Sequence, residues 1–162
     1  MIAKGGARLV NDNSIKYLKK LLLPLCLIVT PNIPEAEVLT GYSISNKQDM
    51  IKAAKKIISM GAKNVLLKGG HLKNKMIFDI LVSKRQIKIF PKRKIKTKNT
   101  HGTGCTLSSA LATCLSQKKN INKSCKISLN YVHRSILTAP GYGKGYGPLN
   151  HLNSLNLRDT NA

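Results

Sequence analysis

The sequence predicts an α/β protein, a mostly parallel sheet covered by helices, and three observations carry that expectation. Two short apolar runs, residues 25–29 and 64–67, have the length and composition of strands buried on both faces. Between them lie stretches with helical start and stop signals, an order that reads as a parallel sheet with crossover helices. Further on, the turn Gly102-Thr103-Gly104 runs straight into another apolar, helix-forming stretch.

Taken in order, Asp12 or Asn13 can cap a first helix whose apolar face is Ile15, Leu18 and Leu22, with Pro24 ending it. A second helix starts near Pro34, since proline suits the first helical turn. A third begins at Ser45 or Asn46, turns Met50, Ala53, Ala54, Ile57 and Ile58 inward, and stops at Gly61. Residues 75–82 and 85–90 read as short strands around a Ser83-Lys84 turn. Helices follow over 105–116 and 120–139, the latter with Ile127, Tyr131, Ile136 and Leu137 among its apolar positions. The glycine-rich stretch 140–148 is irregular by composition. With 162 residues, no repeat and no linker, the chain is expected to be one domain, residues 1–162, with an irregular tail over 140–162.

A hydrophobic content of 42% argues for a packed core rather than disorder. Twenty-eight Lys and Arg against six acids give a formal charge of +22, which raises nucleic acid or an anionic surface as a partner. The lysines are scattered, however, with small clusters only at Lys92-Arg93-Lys94 and Lys118-Lys119. Five Tyr and two Phe leave little for base stacking. A solvated basic surface is therefore favoured over a nucleic-acid site. Cys26, Cys105, Cys114 and Cys125 have no zinc-type spacing, no secretion pattern opens the chain, and the longest apolar run is too short to span a bilayer. These features point to a reducing, cytoplasmic setting.

The chemistry concentrates in Asn99-Thr100-His101-Gly102-Thr103-Gly104-Cys105-Thr106-Leu107-Ser108-Ser109-Ala110. Glycines there let consecutive N–H groups face one way at the positive end of a helix dipole, a cradle for phosphate or for charge developing in phosphoryl transfer. No Lys-Ser/Thr pair follows at the P-loop spacing, so this is not a Walker A loop. By itself the turn is equally a steric device for opening a helix.

This dodecamer resembles the anion-hole signature of the ribokinase-like vitamin kinases. With its Thr-Leu-Ser-Ser-Ala continuation it resembles, more narrowly, the hydroxymethylpyrimidine and phosphomethylpyrimidine kinases of thiamine biosynthesis. Three further segments agree in the family's order. Val29-Thr30-Pro31-Asn32-Ile33-Pro34-Glu35-Ala36-Glu37 resembles its Asn-x-x-Glu loop. Val65-Leu66-Leu67-Lys68-Gly69-Gly70-His71 resembles its Lys-Gly-Gly-His strand end. Ala139-Pro140-Gly141 with Gly147-Pro148-Leu149-Asn150-His151 resembles its C-terminal tail. The opening Met1-Ile2-Ala3-Lys4-Gly5-Gly6-Ala7-Arg8-Leu9 resembles an internal family segment, so the chain reads as the C-terminal, nucleotide-side portion of such a kinase.

The resemblance implies a ribokinase-like fold and ATP-dependent phosphorylation of a small hydroxymethyl-pyrimidine, or its monophosphate, by a cytoplasmic homodimer. It assigns the anion hole to backbone N–H groups around Gly102, Thr103, Gly104 and Cys105. Cys105 becomes the base that takes the acceptor's hydroxyl proton, and a helix N-terminus favours a thiolate there. Asn32 and Glu35 would organise Mg²⁺ on ATP through water, while Lys68 and Thr100 would meet its phosphates. Each has a plainer reading as well. Cys105 is then a small buried residue, Glu35 a carboxylate at a helix start, Lys68 a solvated lysine and Thr100 a turn holder. His71 and His101 receive no catalytic role, and Asn150-His151 reads as packing. A pyridoxal kinase, an inactive remnant and a basic nucleic-acid binder stay open as rival functions.

Overall fold

The structure, a computed structural model, describes residues 10–72 and 75–153 and divides into two compact units, Met1–Lys94 and Ile95–Ala162. The opening segment that resembles an internal part of the family, residues 1–9, lies outside the described residues, as does the end of the tail.

In the first unit, α1 (Asp12–Tyr17) starts one residue earlier than expected, at Asn11, whose side chain accepts the Ser14 N–H at 2.8 Å. The chain then widens into a π turn over Leu18–Leu22 and tightens into a 3-10 turn over Leu23–Leu25, where Pro24 has no N–H to offer. Leu23, not Leu22, is the buried residue there.

Residues 25–29, expected to be a strand buried on both faces, are not: Leu25 is 79% and Leu27 51% exposed. What holds this segment is parallel pairing along one edge only. The Val29 N–H donates to the Asn64 carbonyl at 3.0 Å, and the Leu66 N–H to the Val29 carbonyl at 2.8 Å. Burial on both faces requires layers on both sides, and among the described residues this segment has a sheet neighbour on one side.

α2 (Ile33–Thr40) and α3 (Lys47–Ser59) form the crossover between residue 29 and β1 (Asn64–Leu67). α3 opens on Asn46 and sends Met50, Ala53, Ala54 and Ile57 inward at the spacing of a single helix face. These pack with Leu39, Val65, Leu67, Ile80 and Val82 into the main core. β2 (Met76–Ser83) and β3 (Ile87–Arg93) complete a three-stranded sheet in the order β1-β2-β3, antiparallel throughout. Among the described residues, the parallel pairing that the sequence suggested is found at Val29–Val65 and Asn32–Lys68. The reason is connection length. A helical crossover permits parallel pairing, whereas the turn between Ser83 and Ile87 forces the chain straight back.

The second unit is the helix pair α4 (Thr103–Ser116) and α5 (Ile121–Leu137) with the segment that follows them. The inward face of α5 is Ser124, Cys125, Ser128, Leu129, Val132 and Ser135. Of the apolar positions named from the sequence, Ile127 and Leu137 are 37% and 63% exposed. The helical spacing is as expected, but its phase is set by small side chains that permit close approach rather than by the largest apolar ones. The Asn150 N–H donates to the Ser135 carbonyl at 3.0 Å, and Tyr131 Oη donates to the His151 carbonyl at 2.7 Å, so this later segment is fastened to α5.

Two outcomes follow from this packing. Ile57→Ala empties a fully buried site and should cost about 2–5 kcal/mol in urea unfolding. Lys92 buries its ammonium without a hydrogen bond, and desolvation pushes its pKa down from 10.5 to about 8, against an opposing pull from Asp79. The unfolded chain therefore binds more protons in that window, so stability measured against Lys92→Met should rise from pH 8 to 10.5 and be level below pH 8.

Candidate active site

In the first unit, the end of β1 and the start of α2 meet. The Lys68 N–H donates to the Pro31 carbonyl at 2.9 Å, completing the parallel bridge between Lys68 and Asn32. Asn32 caps α2 in a reciprocal box. Its Oδ1 accepts the Glu35 N–H at 2.9 Å, and Glu35 Oε2 accepts the Asn32 N–H at 2.9 Å. The Asn-x-x-Glu spacing is thus first of all a helix-start device, the plainer reading offered for Glu35. It also brings a carboxylate, an amide and a lysine, remote in sequence, to one edge of the sheet.

His71 joins this cluster in a way the sequence did not announce. Desolvation first, and then the Lys68 ammonium, hold its imidazole below the ordinary value, while Glu35 and Glu37 pull the other way. Both carboxylates are separated from it by α2, α3 and β1, so only the fold reveals them as neighbours. Lys94 closes the far side, its Nζ donating to the Leu72 carbonyl at 2.9 Å.

The turn itself rests on Gly69. A Cβ at Gly69 would run into the Phe78 carbonyl oxygen, so only glycine allows β1 to press this closely on β2. The Gly69 N–H donates to Asp79 Oδ1 at 3.0 Å. Asp79 is 7% exposed, the one buried charged side chain among the described residues. Reading the sequence missed Asp79; the available signal was a lone acid inside the apolar run Met76-Ile77-Phe78-Asp79-Ile80-Leu81-Val82.

In the second unit, Gly102 is the N-cap of α4 at φ 82°, a left-handed backbone that favours glycine, and no side chain caps the helix. Thr103, Gly104 and Cys105 form its first turn, where N–H groups have no partner within the helix. Cys105 is an exposed free cysteine, not the buried residue of its plainer reading. Thr100 shapes the approach: its N–H donates to the Lys98 carbonyl at 2.9 Å, and its carbonyl accepts Thr103 Oγ1 at 3.3 Å. Thr106 Oγ1 lies 3.0 Å from His151 Nε2 and donates to the Gly102 carbonyl at 2.8 Å, tying the later segment to the turn. The structure therefore assembles Asn32, Glu35 and Lys68 in one unit and Thr100, Gly102, Thr103, Gly104 and Cys105 in the other. Among the described residues there is no group of three or more His, Cys, Asp or Glu able to hold a metal ion.

A sheet edge with a capped helix start, and a glycine-opened helix in the next unit, belong to the ribokinase-like α/β class. The structure of the Staphylococcus aureus pyridoxal kinase in complex with AMP-PCP superposes with a TM-score of 0.88 at 25% identity, over 97% of this chain and 57% of that one. The family model for phosphomethylpyrimidine kinase matches residues 1–150, and the chain belongs to that family. It is 42% identical over 161 residues to the hydroxymethylpyrimidine/phosphomethylpyrimidine kinase of Bacillus subtilis, covering 96% of this chain and 59% of the relative. It is 45% identical over 152 residues to the thiamine biosynthesis bifunctional protein of Geobacter sulfurreducens, covering 94% of this chain and 31% of that protein. The chain thus spans less than two thirds of the length of these curated relatives.

Asn32→Ala removes the acceptor that holds α2's first turn. It should lower stability by about 0.5–2 kcal/mol in a denaturant titration, and Asn32→Asp should recover most of that loss.

Proposed function

We propose that this chain serves ATP-dependent phosphorylation of 4-amino-5-hydroxymethyl-2-methylpyrimidine, its monophosphate or both, on the route to thiamine diphosphate. The observation that carries the reading is the pairing of two features with the family membership. One is the Asn32–Glu35–Lys68 cluster at the end of β1, and the other is the glycine-started first turn of α4 bearing an exposed thiol.

In this reading, Lys68 and Thr100 bind nucleotide phosphates, and the N–H groups of Gly102, Thr103, Gly104 and Cys105 stabilise the charge on the transferred group. Cys105 accepts the proton from the acceptor hydroxyl as its oxygen takes the phosphoryl group from ATP, leaving ADP. Asn32 and Glu35 would hold the Mg²⁺ that the nucleotide implies. A single carboxylate, Glu35, stands beside Asn32, and its Oε2 already accepts an N–H. That donor set fits a cation held by phosphates and water rather than by a protein cage. Bound there, the ion would neutralise phosphate charge, with Glu35 and Asn32 orienting its water ligands.

The finer assignments, a cytoplasmic homodimer in which 1–162 forms part of one domain, extend from the same family. None of the described helices is long and apolar enough to cross a membrane. The basic surface is read as solvated rather than as a nucleic-acid site. Likeness to a pyridoxal kinase in fold supports a second acceptor, pyridoxal, but at 25% identity against 42% for the pyrimidine kinase.

Competition between the pyrimidine alcohol and pyridoxal as acceptors, read by phosphorylated product, tests the assignment. Transfer to the pyrimidine is expected, preference for pyridoxal moves the reading to the second acceptor, and no transfer to either marks an inactive chain. Cys105→Ala should lower turnover by roughly 10²–10⁴-fold while ATP affinity stays within about twofold. Unchanged turnover would remove Cys105 as the base.

A further inference from the structure

A buried carboxylate needs a reason. Asp79 stands in the middle of an apolar strand, where an ionised acid is costly unless paired and hydrogen-bonded. Oδ1 accepts the Gly69 N–H at 3.0 Å, and Lys92 lies on the same sheet face. The register sets Ile77 opposite Lys92 and Asp79 opposite Phe90, so Asp79 and Lys92 are diagonal neighbours.

The position of that hydrogen bond is informative. The β1–β2 ladder runs from Asn64–Ser83 to Leu67–Ile80 and stops there. One step further, the Lys68 N–H continues the parallel pairing that Leu66 makes with Val29, donating to the Pro31 carbonyl. The next N–H, that of Gly69, is taken by the Asp79 carboxylate, and the Leu72 N–H then closes the turn on the Gly69 carbonyl at 3.1 Å. Lys68 is therefore clamped on both sides, by a carbonyl before it and by a side chain just after it. A backbone held at consecutive N–H groups fixes the direction in which its Cα–Cβ bond leaves the strand.

We propose that Asp79 is a positioning residue for phosphate binding, aiming Lys68 and its turn at the nucleotide by holding the Gly69 N–H. This rests on the reading that Lys68 meets nucleotide phosphate, and it adds a residue that never touches the ligand. The geometry makes the acceptor oxygen the essential part, so a neutral acceptor of the same shape preserves most of the effect.

The test compares ATP with adenosine, because only ATP reads the phosphate site. Titration calorimetry of the full 162-residue chain is run for the parent, Lys68→Ala, Asp79→Ala, Asp79→Asn and the Lys68→Ala/Asp79→Ala double variant. Asp79→Ala should cut the ATP-to-adenosine affinity ratio about tenfold, nearly as much as Lys68→Ala, and the double variant should lose little more. Asp79→Asn should retain all but two- to threefold, with the Gly69 amide proton shifted upfield in NMR. A purely structural role would change the melting temperature and leave the ratio alone, and that result overturns the proposal. Where Asp79→Ala does not fold, Asp79→Leu decides, since it keeps the volume and removes the acceptor: an unchanged ratio there also overturns the proposal. An unchanged ratio in Lys68→Ala, or no ATP binding by the parent, would instead strike the functional reading itself and take this inference with it.

Discussion

The backbone bond from the Lys68 N–H to the Pro31 carbonyl is where the fold and the candidate chemistry of the first unit become one problem. It is the last rung of a parallel pairing that joins two parts of the chain separated by α2 and α3. Without it, the Asn32 cap and the Lys68 turn would be independent loop ends. With it, the start of a helix and the end of a strand share one rigid piece of backbone. Loops held by a rigid scaffold are where binding groups are generally placed, since side chains there are both exposed and fixed.

Beneath that rung lies a buried core. Met50, Ala53, Ala54 and Ile57 form a stripe on α3 that is fully buried against the sheet. Each large apolar side chain contributes about 1.5–3 kcal/mol by leaving water. The alanines allow α3 to lie close to β1 and β2, so the crossover is short and stiff. Charge is kept outside this layer: the lysines of α3 point outward, and Asp79, on the other face of β2 from Ile80 and Val82, is met by an N–H.

Much of this was legible from residue order. The α3 stripe, the Asn46 start, the proline in the first turn of α2, β1 and the helix after Gly102 all follow from local rules that tertiary contacts reinforce. The failures share a cause. Residues 25–29 look like a doubly buried strand because local sequence records hydrophobicity but not how many layers are present to cover it. On α5 the apolar positions alone do not give the buried face, because serine at 124, 128 and 135 lies inward with Leu129 and Val132. His71 and Asp79 escaped for a third reason: their partners are distant along the chain, and no periodic pattern marks a lone polar group that finds its match across a sheet.

Helix α4 begins differently from its neighbours. α1, α2, α3 and α5 each start on an asparagine whose side chain accepts an N–H of the first turn, from an extended backbone. Gly102, at φ 82°, has neither that side chain nor that backbone. With glycine at the cap the helix forgoes roughly a few tenths of a kcal/mol relative to asparagine. Selection for stability alone would erase such a start, since caps are among the easiest improvements for a sequence to acquire. Engineering this protein for robustness therefore meets a boundary here. The starts of α1, α3 and α5 can be optimised freely, whereas a self-satisfied α4 would be a sturdier helix with its amide donors already spent.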